Sequence, residues 1–268
     1  MIAKNFASTP RVFASIFDED SGAFGVVMED LRLRSARFPN ATGSMNEAQI
    51  ESVLGEPATL HARHWSSPRF SRDLDWLWTP CSGAFAEFMQ GAGREFLRHQ
   101  VKRSEYKQEL LARLERSFDE AWRCVWTAQQ ILASEPTTLL HGDTHFGNTY
   151  LLSDDRVGLL HWQLMGRGRW SHDVTYMMVT ALDVEFRRRH ERELLAYYLD
   201  RLRAAGVETA PDLEVAWLLY RQSAIWGFLI GWMITPVENY GEAILRANLE
   251  RLTAALEDLE TFAVLEQT

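Results

Sequence analysis

Residues 141–148 read His-Gly-Asp-Thr-His-Phe-Gly-Asn. Apolar, β-prone residues stand on both sides of this octamer: Leu139-Leu140 before it and residues 149–152 after it, with a third such stretch, residues 157–162, beyond a Ser-Asp-Asp-Arg turn. Short apolar runs bounded by turn formers are typical of strands. The octamer is therefore predicted to lie on a loop within a small β element.

The composition is that of an ordinary globular chain with excess negative charge. Of its 268 residues, 46% are hydrophobic and 24% are charged, which is enough apolar material for one large core or two smaller ones. The formal net charge of −9 argues against a general nucleic-acid or anionic-membrane surface, because a basic field gathers either partner. We therefore expect no nucleic acid and no membrane as partners.

Neither disulfides nor membrane spans are indicated. Cys81 and Cys124 are the two cysteines, and their spacing matches no disulfide framework or metal site. Residues 215–236 are strongly apolar, but Arg221 leaves an uncharged run shorter than the ~20 residues of a membrane span, so we expect a buried helix. Residues 1–10 lack the basic-then-apolar order of a signal peptide. The predicted location is a reducing cytoplasm.

Two kinds of periodicity divide the chain. Residues Val12–Phe17 and Phe24–Met28 are short apolar runs around an Asp-Glu-Asp-Ser-Gly turn, which predicts a β-hairpin. The pattern is helical from residue 46 onward, and Pro57 is expected to interrupt the first helical stretch. Further along, apolar side chains recur at steps of three or four, as on one face of a helix: Tyr106, Leu110, Leu114, Phe118, Trp122 and Val125.

The octamer resembles the catalytic loop of a known superfamily. His141, Asp143 and Asn148 form the pattern His-x-Asp, four residues, then Asn, which is similar to that of the aminoglycoside phosphotransferase and choline/ecdysteroid kinase-like superfamily, distant relatives of protein kinases. Residues 158–163 and 168–176 follow in the order of that family's metal strand and anchoring helix start. The agreement in order and approximate spacing extends over most of the chain.

The resemblance implies an α+β, protein-kinase-like fold with a truncated N-terminal β lobe. Residues 1–31 are expected to be the hairpin remnant of that lobe with the hinge, and residues 32–268 a mostly helical catalytic and acceptor-binding lobe with a small inserted β element. Leu60-His61-Ala62 looks like the helix after the hinge. The hinge, whose backbone meets adenine in the family, corresponds to Met28, Glu29, Asp30 and Leu31.

The resemblance also implies a reaction and roles for its residues. The chain is expected to move the γ-phosphate of ATP to a hydroxyl of a small molecule, with Asp143 orienting or deprotonating that hydroxyl and Asn148 holding Mg²⁺. These residue types suit the chemistry, because a carboxylate can accept a proton and an amide oxygen is a hard ligand. His141 is counted with Asp143 among the expected catalytic residues, and its part there is to fix the loop geometry. Asp173 is predicted to cap its helix and to brace the loop by accepting backbone hydrogen bonds.

Two features depart from the family pattern. His161 occupies the position of an aspartate that joins the metal to the phosphates, and a neutral imidazole is a poorer partner for Mg²⁺ than for softer metals. The expected phosphate-gripping lysine is also missing, because Lys4 precedes the hairpin and the next lysine is Lys102. A lone hairpin has unpaired edges, so we expect a second copy or a partner chain to cover it, unless the start of the protein has been lost.

Two alternative functions follow from these residues. A pseudokinase-like binding or partner protein would keep the fold without turnover, as both departures suggest. A transition-metal-dependent hydrolase would assemble His141, Asp143, His145 and His161, because imidazole and carboxylate suit zinc or iron.

Overall fold

The structure is a computed structural model that describes residues 9–268. Within this range the chain forms six short strands and eleven α-helices. The strands are β1 (Val12–Phe17), β2 (Phe24–Met28), β3 (Thr138–Leu140), β4 (Thr149–Leu151), β5 (Val157–Leu159) and β6 (Gly166–Gly168). The helices are α1 (Glu47–His64), α2 (Ala84–Phe88), α3 (Arg94–Lys102), α4 (Glu105–Arg113), α5 (Phe118–Ala133), α6 (Ser171–Ala181), α7 (Val184–Ala204), α8 (Leu213–Trp226), α9 (Val237–Tyr240), α10 (Glu242–Asp258) and α11 (Thr261–Glu266).

The strands form three separate two-stranded antiparallel sheets. β1 pairs with β2, β3 with β6, and β4 with β5. β3 and β4 stand before and after the octamer, so both ends of its loop are held by backbone hydrogen bonds to later strands. The predicted loop within a small β element is confirmed. The third predicted strand is shorter than expected, because it ends at Leu159 and a one-turn helix occupies Trp162–Leu164.

The predicted hairpin of β1 and β2 is confirmed. Its register pairs Phe17 with Phe24 and Val12 with Met28, with an irregularity between Val12 and Ala14. All of its residues except Gly25 are exposed. Within residues 9–268 no third strand pairs with either edge. Small strands and a mostly helical body make the fold α+β, as predicted.

The helices pack around one large core with α6 at its centre. All of α6 is buried, and it contacts α1, α7, α8 and α10. α6 begins soon after β6, and β6 pairs with β3, the strand directly before the octamer. The first turn of α6 therefore lies against the octamer. The core therefore fixes the position of the loop that carries the polar residues.

Residues 215–236 form a mostly buried helical stretch, as predicted. α8 continues directly into a π-helical segment, Gly227–Met233, and most side chains of both face the core. Among residues 9–268 no helix is long and apolar enough to cross a membrane.

The stripe from Tyr106 to Val125 does not belong to one helix, so that part of the prediction is wrong. α4 ends at Arg113 and α5 begins at Phe118. Ser117 accepts a hydrogen bond from Glu120 N, and the Glu120 side chain bonds back to Ser117 N. This capping box starts a new helix while the apolar spacing continues across the break.

The predicted interruption at Pro57 is also wrong. α1 runs through Pro57, which is buried inside the helix. The helix begins with a capping box between Asn46 and Gln49. Packing of α1 against α7 and β3 offsets the hydrogen bond that a proline cannot donate.

The division into residues 1–31 and 32–268 stays a prediction. Residues 1–8, including Lys4 and most of the segment considered for a signal peptide, lie outside the described residues. At the boundary, buried Leu31 packs with Tyr150 and Leu152. The hinge-like segment is therefore attached to β4, the strand that follows the octamer.

Candidate active site

The octamer places Asp143 and Asn148 side by side. The chain leaves β3 at Leu140, crosses a loop and makes a one-turn helix, Phe146–Asn148, before β4. Asn148 Nδ2 donates to the backbone oxygen of Asp143 and to Asp143 Oδ2, both at 2.8 Å. The Asn148 backbone oxygen accepts from Leu160 N at 2.8 Å. The two residues on which the prediction depends therefore share one environment.

Asp143 has an unusually basic carboxylate. Burial raises the pKa of this group to about 7; the hydrogen bond from Asn148 opposes the increase, and the negative charge of Asp173 adds to it. A group with such a pKa is present in both protonation states near neutral pH, and a general base works best in that range. Asp143 can therefore accept a proton from a hydroxyl placed beside it.

His141 uses both ring nitrogens inside the protein. Nε2 lies 2.7 Å from the backbone oxygen of Leu160, to which it donates, and Nδ1 accepts from Asp143 N at 3.2 Å. This hydrogen-bond pattern assigns the neutral tautomer. Burial lowers the pKa of His141, which favours the same state. His141 thus joins the loop to the end of β5 and has no free nitrogen for a substrate.

Asp173 holds the start of the loop. Its Oδ2 accepts from His141 N at 2.7 Å, and its Oδ1 accepts from Gly142 N at 2.9 Å. The residue lies in the first turn of α6, where Trp170 occupies the N-cap position without a side-chain cap. The prediction that Asp173 caps its own helix is therefore wrong, because its carboxylate points to the loop.

His61 is a second support of Asp173; the sequence placed it on the helix after the hinge but did not predict this contact. His61 Nε2 lies 3.3 Å from Asp173 Oδ2, and Nδ1 lies 2.7 Å from the hydroxyl of Tyr198, with all three side chains buried. Burial would raise the pKa of Asp173, but the hydrogen bond from His61 acts against it, and the overall pKa lies below the ordinary carboxyl value. The network joins α1, α6 and α7 behind the loop.

An aromatic cluster covers another side of the octamer. The ring of His145 lies 6.0 Å from Tyr176, 5.4 Å from Trp232 and 6.4 Å from Tyr240, measured between centroids. Burial lowers the pKa of His145 to about 3, so the ring is neutral. Tyr240 is 49% exposed; partial burial raises the pKa of its hydroxyl, and the negative charge of Asp143 adds to the increase. No local pattern in the sequence predicted this cluster.

Two glycines of the π-helical segment make room for Tyr176. A Cβ atom added to Gly227 would lie 2.6 Å from Tyr176 Cδ2, and one added to Gly231 would lie 2.6 Å from the Tyr176 hydroxyl oxygen. Trp232 follows Gly231 directly. The segment that packs closely against Tyr176 therefore also carries Trp232, whose ring lies against His145.

His161 lies at the end of β5 with an exposed side chain. Its backbone is left-handed, with φ 59° and ψ 61°, a conformation that histidine, aspartate and asparagine adopt more readily than other non-glycine residues. The predicted transition-metal site of His141, Asp143, His145 and His161 is wrong. His141 has no free nitrogen, and across residues 9–268 no group of three or more His, Cys, Asp or Glu side chains is arranged to hold a metal ion.

The donor atoms fit magnesium in part. Because Asn148 Nδ2 donates to Asp143, the amide oxygen Oδ1 faces away from that contact, and Asp143 keeps a second carboxylate oxygen. Amide and carboxylate oxygens suit Mg²⁺, which usually takes one or two protein ligands together with substrate phosphates. His161 does not fit, since an imidazole brings neither an oxygen nor a negative charge.

The predicted hinge residues lie between β2 and a one-turn helix, Leu31–Arg34. Met28 ends β2 and is exposed, whereas Leu31 is buried. The carboxylates of Glu29 and Asp30 both accept hydrogen bonds from nearby arginines. With those side chains engaged in the chain itself, the segment offers a ligand mainly its backbone.

Comparison with known proteins identifies similar chains. The model of the ecdysteroid kinase-like family matches residues 2–208. The structure of LicA in complex with AMP is 12% identical, covers 97% of this chain and 75% of its own, and has a TM-score of 0.51. The choline kinase LicA from Streptococcus pneumoniae has 12% identity, covers 94% and 75%, and has a TM-score of 0.47. A choline/ethanolamine kinase family protein from Mesorhizobium loti has 12% identity, covers 97% and 80%, and has a TM-score of 0.48. No curated protein sequence matches.

The likeness to LicA with AMP concerns the fold. The protein-kinase-like architecture predicted from the octamer is confirmed, with a β lobe that comprises one hairpin within residues 9–268.

Proposed function

This chain belongs to the ecdysteroid kinase-like family, and from this we propose that it is a small-molecule phosphotransferase that moves the γ-phosphoryl group of ATP to a hydroxyl. One observation carries the proposal. Asp143, with a pKa near neutrality, is held by Asn148 on a loop that Asp173 braces from behind. Such an arrangement keeps a proton acceptor and an oxygen ligand at fixed positions.

In the proposed reaction Asp143 receives the proton of the acceptor. The acceptor oxygen forms a bond to the γ-phosphorus, the bond from that phosphorus to the β,γ-bridging oxygen breaks, and ADP leaves with the electron pair. The proton of the hydroxyl moves to a carboxylate oxygen of Asp143. Asn148 keeps that carboxylate in place by donating to Oδ2. His141 and Asp173 hold the loop so that this geometry exists before the substrate arrives.

Asn148 Oδ1 would hold a magnesium ion, with the second oxygen of Asp143 nearby. When bound with the nucleotide, the ion neutralises phosphate charge. The backbone of Met28, Glu29, Asp30 and Leu31 would receive the adenine. Support for a nucleotide comes from LicA, whose similar fold was determined with AMP.

The acceptor would lie between the octamer and the aromatic cluster. Tyr240 is the exposed member of that cluster, and its pKa is raised first by partial burial and then by the charge of Asp143. Pockets for small molecules are commonly lined by apolar and aromatic groups with few polar ones.

We also propose the division into residues 1–31 and 32–268, and a reducing cytoplasmic location that suits the two free cysteines.

Nucleotide binding and transfer together test this function. Wild-type protein and its Asp143→Ala variant are titrated with ATP and Mg²⁺ while melting temperature is read, because a ligand of the native state raises it. Transfer from γ-labelled ATP is then measured with a panel of hydroxylated acceptors. We expect both proteins to bind and wild type alone to transfer. Wild-type protein that neither binds nor consumes ATP would contradict the proposal.

A non-catalytic relative is the second candidate, and His161 is the observation that favours it. An exposed imidazole at this position supplies no carboxylate oxygen for a metal ion that would bind the phosphates. If the replacement of the family's aspartate by His161 has removed turnover, the wild-type protein should bind nucleotide without transferring phosphate. His161→Asp should then restore the magnesium dependence of nucleotide binding. Transfer by wild type that disappears in Asp143→Ala would exclude this candidate.

A further inference from the structure

The outer edge of β2 presents unpaired backbone groups. Asp18 N donates to Ala23 O, and Glu29 N donates to Arg11 O, so these pairs face each other across the hairpin. In an antiparallel ladder, successive residues point their N–H and C=O groups alternately toward and away from the partner strand. Counting from both pairs gives the same result: the backbone groups of Phe24, Val26 and Met28 point away from β1, and within residues 9–268 no backbone group bonds to them.

The side chains of β2 do not protect this edge against pairing with another strand. β2 reads Phe-Gly-Val-Val-Met, without the lysine, proline or inward charge by which proteins protect sheet edges. Phe24 is 79% exposed, and Val26, Val27 and Met28 are also exposed. β1 adds four more exposed apolar side chains, namely Val12, Phe13, Ile16 and Phe17. Such a surface favours the addition of another strand.

A second copy of β2 fits this edge in one register. With the two strands antiparallel and Val26 opposite Val26 of the second copy, Phe24 faces Met28. In this register each residue whose backbone groups point outward lies opposite a residue of the second copy whose backbone groups also point outward. Each such pair can therefore exchange two hydrogen bonds. Gly25 falls opposite Val27, so the smallest residue faces a branched one. The contact is self-complementary, as a two-fold interface requires.

Charge at the two ends of the hairpin selects the same arrangement. The turn at one end carries Asp18, Glu19 and Asp20, all exposed. Just beyond the other end lie Glu29 and Asp30 together with three arginines, Arg32, Arg34 and Arg37, so positive charge is in excess there. Antiparallel pairing brings the acidic turn of each copy beside the arginines of the other, and continuing the register places Asp20 opposite Arg32. Arg32 keeps 81% of its side chain exposed although it pairs with Asp30, so it remains accessible to a second carboxylate.

We propose that two copies of this chain associate through β2, edge to edge and antiparallel about Val26, into a four-stranded sheet. The occupant of the edge is a second copy because a single chain carries both halves of the backbone, apolar and charge complementarity. This association does not depend on phosphoryl transfer, but it engages the backbone of Met28, so in the dimer adenine would be received by the backbone of Glu29, Asp30 and Leu31. It supplies the cover that the hairpin lacks within residues 9–268.

Proline substitution distinguishes the two edges. Val26→Pro removes an outward N–H of β2 without removing a ladder bond to β1, since proline is tolerated where the N–H faces away from the sheet. Ser15 is paired with Val26, so Ser15→Pro makes the same change on the outer edge of β1. Full-length proteins are compared by sedimentation velocity over a concentration series. We expect wild type and Ser15→Pro to sediment as dimers and Val26→Pro as a monomer with an unchanged melting temperature of the helical body.

A charge-reversal cycle gives a test that does not depend on hairpin folding. Asp20→Arg should raise the dimer dissociation constant by at least roughly fivefold, because two exposed ion pairs of about 0.5 kcal/mol each are lost and two arginine pairs then repel each other. Arg32→Asp should act in the same direction, and the double variant should recover most of the affinity. A wild type that stays monomeric at all concentrations, a dimer that survives Val26→Pro, or a double variant without recovery would each overturn the proposed arrangement.

Discussion

Asn148 Nδ2 lies 2.8 Å from both the backbone oxygen and the Oδ2 atom of Asp143. One amide group thus holds the peptide and the carboxylate of the same residue. Rotation of the carboxylate would break the second contact, so Asp143 has a fixed direction before any ligand binds. The hydrogen bond also stabilises the charged form and moderates the effect of burial on the pKa.

The rate of transfer should follow the protonation of Asp143. Because the pKa of this group is raised to about 7, the carboxylate form is lost as pH falls through neutrality. We expect the rate to rise with pH to a plateau above pH 7. Asp143→Asn should lower the rate by roughly 10²- to 10⁴-fold and remove the pH dependence, with nucleotide affinity retained. A wild-type profile that is flat across neutral pH would contradict the assignment of Asp143.

Removing the amide of Asn148 should move that profile. Asn148→Ala deletes the hydrogen bond that lowers the pKa of Asp143, so the midpoint of the pH profile should shift upward. The residual rate is measured in excess Mg²⁺, so that weaker metal binding does not hide the shift. Asn40→Ala is the matched control, because Asn40 holds only a local exposed turn. An unchanged or lower midpoint would mean that the hydrogen bond from Asn148 does not lower the pKa of Asp143.

Restoring a carboxylate at position 161 should strengthen magnesium-dependent binding. His161→Asp adds a negatively charged oxygen ligand at a backbone conformation that aspartate tolerates. The thermal shift produced by ATP should then depend more strongly on Mg²⁺ than in wild type. His99→Asp makes the same charge change at an exposed position of α3 and should leave the shift as it was. If both variants changed the magnesium dependence of the thermal shift equally, the effect would come from the overall charge of the protein and not from a ligand at position 161.

Loss of the Asp173 carboxylate should destabilise the protein and loosen the octamer. Asp173→Ala leaves two buried backbone N–H groups without acceptors, which costs about 2–4 kcal/mol in the free energy of unfolding. Since the pKa of Asp173 is lowered on folding, its contribution is complete above the ordinary carboxyl range and is lost as pH falls through the folded-state value.

Urea unfolding at neutral and acidic pH checks this prediction. Asp200→Ala, an exposed aspartate of α7, is the control and should change stability little. Wild type and Asp173→Ala should differ most near neutral pH and converge as the solution becomes more acidic. A difference that persists unchanged at low pH would assign the loss to packing instead of the carboxylate.

The space around Tyr176 gives a prediction about packing. Gly231→Ala places a methyl group 2.6 Å from the Tyr176 hydroxyl oxygen, so Tyr176 or the π-helical segment must shift, at about 1–3 kcal/mol. Gly55→Ala in α1 meets no atom within 4 Å and should stabilise the protein by about 0.5–1 kcal/mol. Melting temperatures of the pair, lowered for Gly231→Ala and raised for Gly55→Ala, are the measurement. A neutral Gly231→Ala would indicate that this region is loosely packed.

Local patterns predicted the parts of the fold that local forces determine. The strands around the octamer and the hairpin follow from short apolar runs between turn formers, and these predictions were confirmed. The break between α4 and α5 was missed because the apolar stripe continues across it, although Ser117 and Glu120 carry a recognisable capping box. At Pro57 the error was the opposite one: a break was predicted, but tertiary packing maintains a continuous helix.

Contacts between distant residues could not be predicted in this way. His61 and Asp173 are 112 positions apart, and neither lies in a pattern that points to the other. Trp232 and Tyr240 reach His145 only because the π-helical segment and α9 return to the octamer. Such contacts depend on how helices pack, which a single sequence does not specify locally.

The left-handed backbone at His161 has a consequence for how relatives of this protein are compared. Histidine and aspartate codons differ by a single base, and both residues accept this conformation. A lineage could therefore lose or regain the carboxylate without rebuilding the surrounding chain. Working and silent members of the family would then superimpose closely, and only the identity of one exposed side chain would separate them.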